Sequence, residues 1–199
     1  MNFDGGDVIF REGENVEGIF QIYSGKIKVV ANYQGVNERV VRLANSEQLL
    51  GHRGFGGQMI YPVTAIALEK SQVTFIPLNT FYSAVKANPE LAFNLMMFFA
   101  DELKSSEKNI RTKNKMTAKE KVISAINTII EAFGFDERDP EILSFTPSRK
   151  DIASMAGTTY ETVIRVLSAL EKSGCIVQEG KTLRILDREM LGLNDKGFC

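Results

Sequence analysis

Through residues 1 to about 80, apolar positions come in short clusters: Val8-Ile-Phe10, Ile19-Phe-Gln-Ile-Tyr23, Lys26-Ile-Lys-Val-Val30, Arg39-Val-Val-Arg-Leu43 and Val73-Thr-Phe-Ile76. They are rich in β-branched and aromatic residues. Turn signals at Gly5-Gly6, Glu12-Gly13, Ser24-Gly25 and Gln34-Gly35 separate them, so each predicts a strand. Strands this short and this regularly punctuated predict a sandwich or jelly-roll barrel rather than βαβ units. No long helical pattern stands between them.

The period changes at Asn88-Pro89-Glu90, where an N-cap residue, a first-turn proline and an acid stand in order. From Glu90 to Phe133 there is no glycine or proline. Ala92, Leu95, Met96, Phe99, Leu103, Ser106 and Ile110 form a stripe of roughly seven-residue repeat, which predicts a helix from 89 to about 114, roughly 39 Å long. Such a helix either lies against its own barrel, with Phe93 and Phe98 on other faces making that contact, or also pairs with a second copy along the stripe; the shared role is preferred. Thr117-Ala-Lys-Glu120 is a capping-box sequence that starts a fresh helix with Val122, Ile126, Ile129, Ile130 and Phe133 on one side, ending before Gly134. The polar run Thr112 to Met116 is then the expected hinge. The predicted architecture is α+β: an N-terminal jelly-roll β-barrel (1–88), a long dimerisation helix and hinge (89–116), and a C-terminal helical domain (117–199).

Composition narrows the chemistry. The chain has 199 residues, 44% hydrophobic and 25% charged, enough for a sizeable core without staples. The apolar stretch Leu91 to Ala100 is about half of the ~20 residues that a membrane span requires, and the start MNFDGGDVIF lacks the charge and apolar run of a secretory signal. A cytoplasmic protein without membrane contact is expected. Cys175 and Cys199 form no CxxC pair, and His52 is the one histidine, so cysteine-held clusters, HExxH sites and most nucleophilic triads lack their residues. No GxxxxGK[ST] or GxGxxG occurs, so neither an enzyme nor a metal site is expected. Net charge is −1, with 13 basic and 12 acidic residues before Met116 and 11 and 13 after it. A nucleic-acid binder of this charge must use a local patch.

Residues 146–174 carry the function. Ser148 with Asp151 starts a short helix through Ala156, Gly157 supplies a positive φ, and Thr158 with Glu161 has capping-box spacing for the next helix. Val163, Val166, Leu167 and Leu170 make the second helix's buried stripe, and Ser173-Gly174 ends it. Ala153, Gly157 and Val163 stand where a helix-turn-helix needs a small contact, a turn and a buried wedge. Cys175 to Leu186 reads as a two-stranded wing around Glu179-Gly180-Lys181, with Lys181 able to reach a phosphate. The second helix, about 159–172, turns Tyr160, Glu161, Ile164, Arg165 and Ser168 outward. Arginine pairs bidentately with guanine and a carboxylate accepts from cytosine, so Glu161 and Arg165 suit base reading. The alternative is a surface ion pair contributing ~0.3–0.5 kcal/mol. The expected DNA-facing set is Ser148, Arg149, Thr158, Thr159, Tyr160, Glu161, Thr162, Arg165, Ser168 and Lys181.

With these residues the chain resembles the Crp/Fnr family of bacterial transcription regulators over nearly its whole length. Ser148-Arg-Lys-Asp-Ile-Ala and Gly157-Thr-Thr-Tyr-Glu-Thr-Val-Ile-Arg are similar to its winged-helix signature, and Gly6-Asp-Val-Ile-Phe-Arg-Glu-Gly13 and Ile22-Tyr-Ser-Gly-Lys-Ile-Lys28 to its cyclic-nucleotide-binding β-roll. The resemblance implies a homodimer joined by the long helix, two recognition helices on an inverted repeat, Glu161 and Arg165 as base readers, and RNA polymerase as a partner. Tyr160 stands where the cyclic-AMP receptor branch has arginine, so the half-site need not be that branch's. The family's effector segment has a glutamate after a glycine and later an Arg-Ser pair. Here Gly51 precedes His52-Arg53, and Tyr61-Pro-Val-Thr64 lacks the arginine, with Thr64 in place of the serine. A buried phosphodiester without that arginine loses a contact worth ~1.5–3 kcal/mol, so cyclic AMP is not expected as effector. Gly51, His52, Arg53 and Thr64 mark the candidate effector pocket, although His52 and Arg53 are read as solvated loop residues. The family's N-terminal helix is expected to be short or absent. A competing function is a small-molecule sensor whose winged domain docks on protein.

Overall fold

The computed structural model describes residues 1–33, 37–113 and 116–193, without the side chains of 33, 37 and 108–113. The Gln34-Gly35 turn, Asn114 and Lys115 of the hinge, and Cys199 lie outside the described residues. The chain separates into two compact units, one of residues 1–31 and 45–116, the other of 32–44 and 117–199.

Eight strands fall in the N-terminal part: β1 (Asn2–Phe3), β2 (Val8–Phe10), β3 (Gly18–Ser24), β4 (Ile27–Tyr33), β5 (Asn37–Ala44), β6 (Leu49–Leu50), β7 (Thr64–Ala67) and β8 (Ser71–Pro77). They form two four-stranded sheets of order β1-β8-β3-β6 and β2-β7-β4-β5. β3 runs antiparallel to β8 from Gly18↔Pro77 to Ser24↔Gln72, and β4 antiparallel to β7 from Ile27↔Ala67 to Val30↔Thr64. Alternation decides which way each strand faces: Phe20 and Ile22 of β3 are buried while Gln21 and Tyr23 are exposed. Ile19, Ile22, Ile27, Leu50 and Val73 fill the core between the sheets. Every strand read from the sequence is present. The additional strands β1 and β6 have two residues each, and β7 is the alanine-rich run Thr-Ala-Ile-Ala, so none carried a strong β signature.

Two helices complete this unit. α1 (Leu78–Ala87) follows β8 directly, a departure from the all-β reading of this stretch. α2 (Pro89–Lys113) has 25 residues, about 37 Å of helix. It starts as expected, with Asn88 Oδ1 accepting from Leu91 N at 3.1 Å.

In the second unit, α3 (Ala118–Phe133) has both halves of its capping box: Thr117 Oγ1 accepts from Glu120 N, and Glu120 Oε2 accepts from Thr117 N at 2.7 Å. Val122, Ile126, Ile129 and Ile130 are buried as predicted. α4 (Arg149–Ala156), α5 (Tyr160–Lys172) and the hairpin of β9 (Ile176–Glu179) and β10 (Thr182–Ile185) follow. Their shared core is Ile126, Ile129, Leu143, Ile152, Leu167, Leu170 and Ile176. β5 also belongs to this unit: Ser154 Oγ accepts from Val40 N at 2.8 Å and donates to Glu38 O at 3.0 Å.

Candidate nucleic-acid interface

The site is built from two helix ends and a turn. Ser148 caps α4, its Oγ accepting from Asp151 N at 3.1 Å and donating to Asp151 Oδ2 at 2.6 Å. Gly157 closes α4 at φ 61 and ψ 45, the left-handed region in which a Cβ crowds the next carbonyl. Thr158 N then donates back to Ala153 O at 3.0 Å, which makes Thr158 the end of α4's cap. The N-cap of α5 is Thr159, whose Oγ1 accepts from Thr162 N at 3.2 Å. This corrects the Thr158–Glu161 capping box by one residue: the Thr158 amide is already spent on α4, and Thr159 has the extended backbone of a cap.

α5 is two-sided. Val163, Val166, Leu167 and Leu170 are buried, while Tyr160, Glu161, Ile164 and Arg165 are exposed and Thr162 and Ser168 half-buried. The Glu161 carboxyl lies below its usual range because it accepts from its own backbone N–H and from the Thr159 hydroxyl. It therefore turns toward the helix N-terminus, where negative charge is favoured. Among the described residues Arg165 forms no hydrogen bond or ion pair, so the expected alternative of a Glu161–Arg165 surface pair is absent there. Ile164 is 37% exposed on the same face.

Arg149 is placed differently from its neighbours. Its guanidinium is half-buried and donates to Lys181 O at 3.1 Å and Gln178 Oε1 at 3.4 Å. Gln178 in turn donates from N and Nε2 to Glu171 at 2.8 and 3.0 Å. This relay joins α4, the wing and α5; burial lowers the Arg149 pKa, and the Gln178 bonds lower that of Glu171. Arg149 is thus a brace for the wing. Lys181 is exposed in the two-residue turn between β9 and β10. Arg184 binds Glu179 at 2.8 Å, Asp139 at 2.8 Å and Glu141 at 3.1 Å.

In the first unit, a 3-10 turn at His52–Gly54 carries the expected effector residues. Gly51 has φ 83, and a Cβ there would stand 3.0 Å from the Tyr61 ring. His52 is only 6% exposed, which overturns its reading as solvated. α2 covers it with the Phe98 and Phe99 rings at 5.2 and 5.8 Å, and Glu102 Oε2 stands 3.7 Å from Nε2. Neither imidazole nitrogen has a hydrogen-bond partner. Arg53 is exposed and bonds the same Glu102 oxygen at 2.7 Å. Thr64 is committed elsewhere, accepting from Glu12 N at 2.9 Å. Among the described residues no group of three or more metal-ligating side chains occurs.

The stripe on α2 is open. Met96 is 56% and Leu103 63% exposed, Phe99 and Ser106 are exposed and Leu95 is half-buried; the Ile110 side chain lies outside the described residues. Phe98 packs as expected, but Phe93 is exposed, because its position on α2 turns it away from the covered face. Among the described residues no helix is long and apolar enough to cross a membrane.

Comparison with known proteins gives two domain matches: a cyclic nucleotide-binding domain over residues 1–88 and a Crp-like helix-turn-helix domain over residues 120–192. The chain is 28% identical over 182 residues to the transcriptional activator protein FnrA of Stutzerimonas stutzeri, covering 92% of this chain and 74% of that protein. It is 27% identical over 186 residues to the fumarate and nitrate reduction regulatory protein of Escherichia coli, covering 94% and 74%. FixK2 from Bradyrhizobium japonicum shares the fold, with TM-score 0.84 at 20% identity, covering 100% of this chain and 98% of that one. A CRP/FNR-family regulator from Thermus thermophilus superposes with TM-score 0.79 at 21% identity, covering 99% of each. A cyclic nucleotide-binding domain followed by a Crp-like helix-turn-helix domain, together with these relatives, places this chain in the Crp/Fnr family of transcription regulators.

Proposed function

We propose that the protein is a cytoplasmic homodimer that reads an inverted-repeat promoter site by laying α5 in the major groove of each half-site. The observation that carries this is the free polar face of α5. Glu161 and Arg165, one helical turn apart, have no bond to each other, while the opposite face of the same helix is fully packed. A guanidinium without an internal partner is available for guanine O6 and N7, and Ile164 and Tyr160 flank it with apolar surface. Ser148, Thr158, Thr159, Thr162 and Lys181 stand at the helix ends and the wing tip, where phosphates are met, and Ser168 extends the reading face. Arg149 acts through the wing turn that it holds.

The exposed stripe of α2 supports pairing of two copies through Met96, Phe99, Leu103 and Leu95, and reading an inverted repeat requires the two α5 helices about 34 Å apart, one turn of duplex. RNA polymerase is the partner that such a regulator addresses. Gly51, His52, Arg53 and Thr64 do not make a cyclic AMP site in this reading: Arg53 is spent on Glu102, position 52 offers a covered imidazole in place of a carboxylate, and Thr64 is bound to the backbone. Selection of bound sites from random DNA at fixed salt tests the proposal. Recovery of an inverted repeat is expected; equal affinity for selected and scrambled duplexes would refute it.

A further inference from the structure

The wing is a two-stranded hairpin, an element too small to hold its own orientation. β9 and β10 pair from Ile176↔Ile185 to Glu179↔Thr182, with Gly180 and Lys181 as the turn. In this register Gln178 stands opposite Leu183, and the backbone N–H of each is bonded outside the hairpin. On the β10 side, Leu183 N donates to Thr146 Oγ1 at 3.2 Å. On the β9 side, Gln178 N donates to Glu171 Oε1 at 2.8 Å. Glu171 lies in the last turn of α5, so the outer edge of β9 is held by the same helix that carries Glu161 and Arg165.

The contact is more than one bond. Glu171 Oε2 accepts from Gln178 Nε2 at 3.0 Å, so one carboxylate takes both the backbone N–H and the amide of a single residue. The other end of that amide, Gln178 Oε1, accepts from Arg149 Nη2 at 3.4 Å, and Arg149 Nη1 donates to Lys181 O at 3.1 Å. With its oxygen on a guanidinium and its nitrogen on a carboxylate, the amide is fixed in one orientation; flipping it would set donor against donor and acceptor against acceptor. Both ends are charge-assisted, and such bonds are roughly twice as strong as neutral ones. Arg149, Glu171 and Gln178 are all half-buried, which limits competition from water. The Gln178 bonds hold the Glu171 carboxyl below its usual range, so it is ionised at neutral pH.

We propose that Glu171 and Gln178 are positioning residues for DNA binding: their clamp ties the wing to α5, so that the Lys181 ammonium meets a phosphate in register with the bases read by the same helix. Glu171 stands at the opposite end of α5 from Tyr160 and Glu161 and acts through the hairpin, without touching DNA itself. The proposal rests on the DNA-binding reading, in which Lys181 contacts the backbone.

Anisotropy titrations of the full chain on its selected duplex, repeated across salt, test it. Glu171→Gln leaves one side-chain oxygen for two donors, and Gln178→Glu sets two carboxylates together. The combined exchange of both restores a donor and an acceptor at every contact, with the new carboxylate at 178 also accepting from Arg149. Lys181→Ala supplies the reference, a salt slope shallower by about 2 units for two phosphates lost per dimer. Each single variant should bind about tenfold more weakly, with a slope shallower by about 1 unit or more. The combined exchange should regain the original slope and affinity, and Glu171→Gln added to Lys181→Ala should cost nothing further. Gln178→Met keeps the backbone bond to Glu171, so it supplies the same comparison if a single variant loses its native circular dichroism. An unchanged slope in the folded variants, no recovery in the exchange, or full additivity with Lys181→Ala would each overturn the proposal. An unmoved slope in Lys181→Ala would remove the wing-tip contact beneath it, and equal affinity for selected and scrambled duplexes would remove the DNA-binding reading itself.

Discussion

Replacing Arg165 by alanine isolates base reading from folding. The side chain is exposed and without an internal partner among the described residues, and Val163, Val166 and Leu167 beneath it are untouched. Stability should therefore change by no more than about 0.5 kcal/mol. On DNA, each lost bidentate contact costs about 1–3 kcal/mol. A dimer on an inverted repeat loses two such contacts, about 2–6 kcal/mol or roughly 30-fold to 10⁴-fold in affinity. On a duplex with one half-site scrambled, only one specific contact remains to be lost, so the penalty falls to about 1–3 kcal/mol, or 5-fold to 150-fold. Fluorescence anisotropy with the symmetric, half-scrambled and fully scrambled duplexes at one salt concentration measures all three. Equal losses on symmetric and scrambled DNA would make Arg165 a phosphate or stability residue. Equal losses on symmetric and half-scrambled DNA would refute two-fold reading.

Further outcomes follow from local geometry. Gly157→Ala forces a Cβ into the left-handed region, with Arg39 Nη2 no nearer than 3.6 Å, so the cost of about 1–2 kcal/mol in denaturant unfolding is backbone strain; Gly157→Asn should recover part of it, and equal stability of Ala and Gly would refute the strain. The Thr117 amide and hydroxyl hold Glu120 below its ordinary pKa, so its contribution is present above the usual carboxylate value near pH 4 and is lost as pH falls through the lower folded value. Glu120→Gln should then melt lower than wild type at pH 7 and converge with it toward pH 3; a constant gap would refute this. His52→Leu keeps apolar contact with Phe98 and Phe99 and removes two partnerless buried nitrogens, so at pH 8 it should stabilise the protein by about 1 kcal/mol, and a comparable loss would mean that the imidazole uses a polar partner.

Local chemistry was legible in the sequence and tertiary cover was not. Capping is settled within four residues, which is why Thr117-Ala-Lys-Glu120, Ser148 and the Asn88-Pro89 start all stand where the sequence put them. α1 has no such mark: its N-cap is Pro77 without a side-chain hydrogen bond, and it buries no residue, so neither cap nor stripe announces it. Thr158 and Thr159 are chemically alike, and the choice between them depends on a bond from Thr158 N to Ala153 O that only the folded turn supplies. His52 looked solvated beside Gly51 and Arg53 because the residues that cover it, Phe98, Phe99 and Glu102, lie on α2, more than forty positions away. The bracing contacts of Arg149, read from the sequence only as a DNA-facing residue, were hidden for the same reason: its acceptors, Lys181 O and Gln178, belong to the wing.

That redistribution of cations governs how a chain of net charge −1 engages DNA. Arg184 is consumed by Glu179, Asp139 and Glu141, Arg149 by the wing, and Arg188 lies over the Phe135 ring at 4.3 Å. On the face made by α4, the first half of α5 and the wing tip, Lys150, Arg165 and Lys181 remain exposed. If Arg165 reads bases, Lys150 and Lys181 of two protomers neutralise about four phosphates, and log K should fall with log salt at a slope of about −3.6. If Arg165 is a phosphate contact instead, the count becomes about six and the slope about −5.4. Arg165→Ala should accordingly lower affinity without moving the slope, whereas Lys181→Ala should move it by about 2 units across the dimer. A slope near −10 would mean that cations outside this face carry the binding, and the α5 reading would lose its basis.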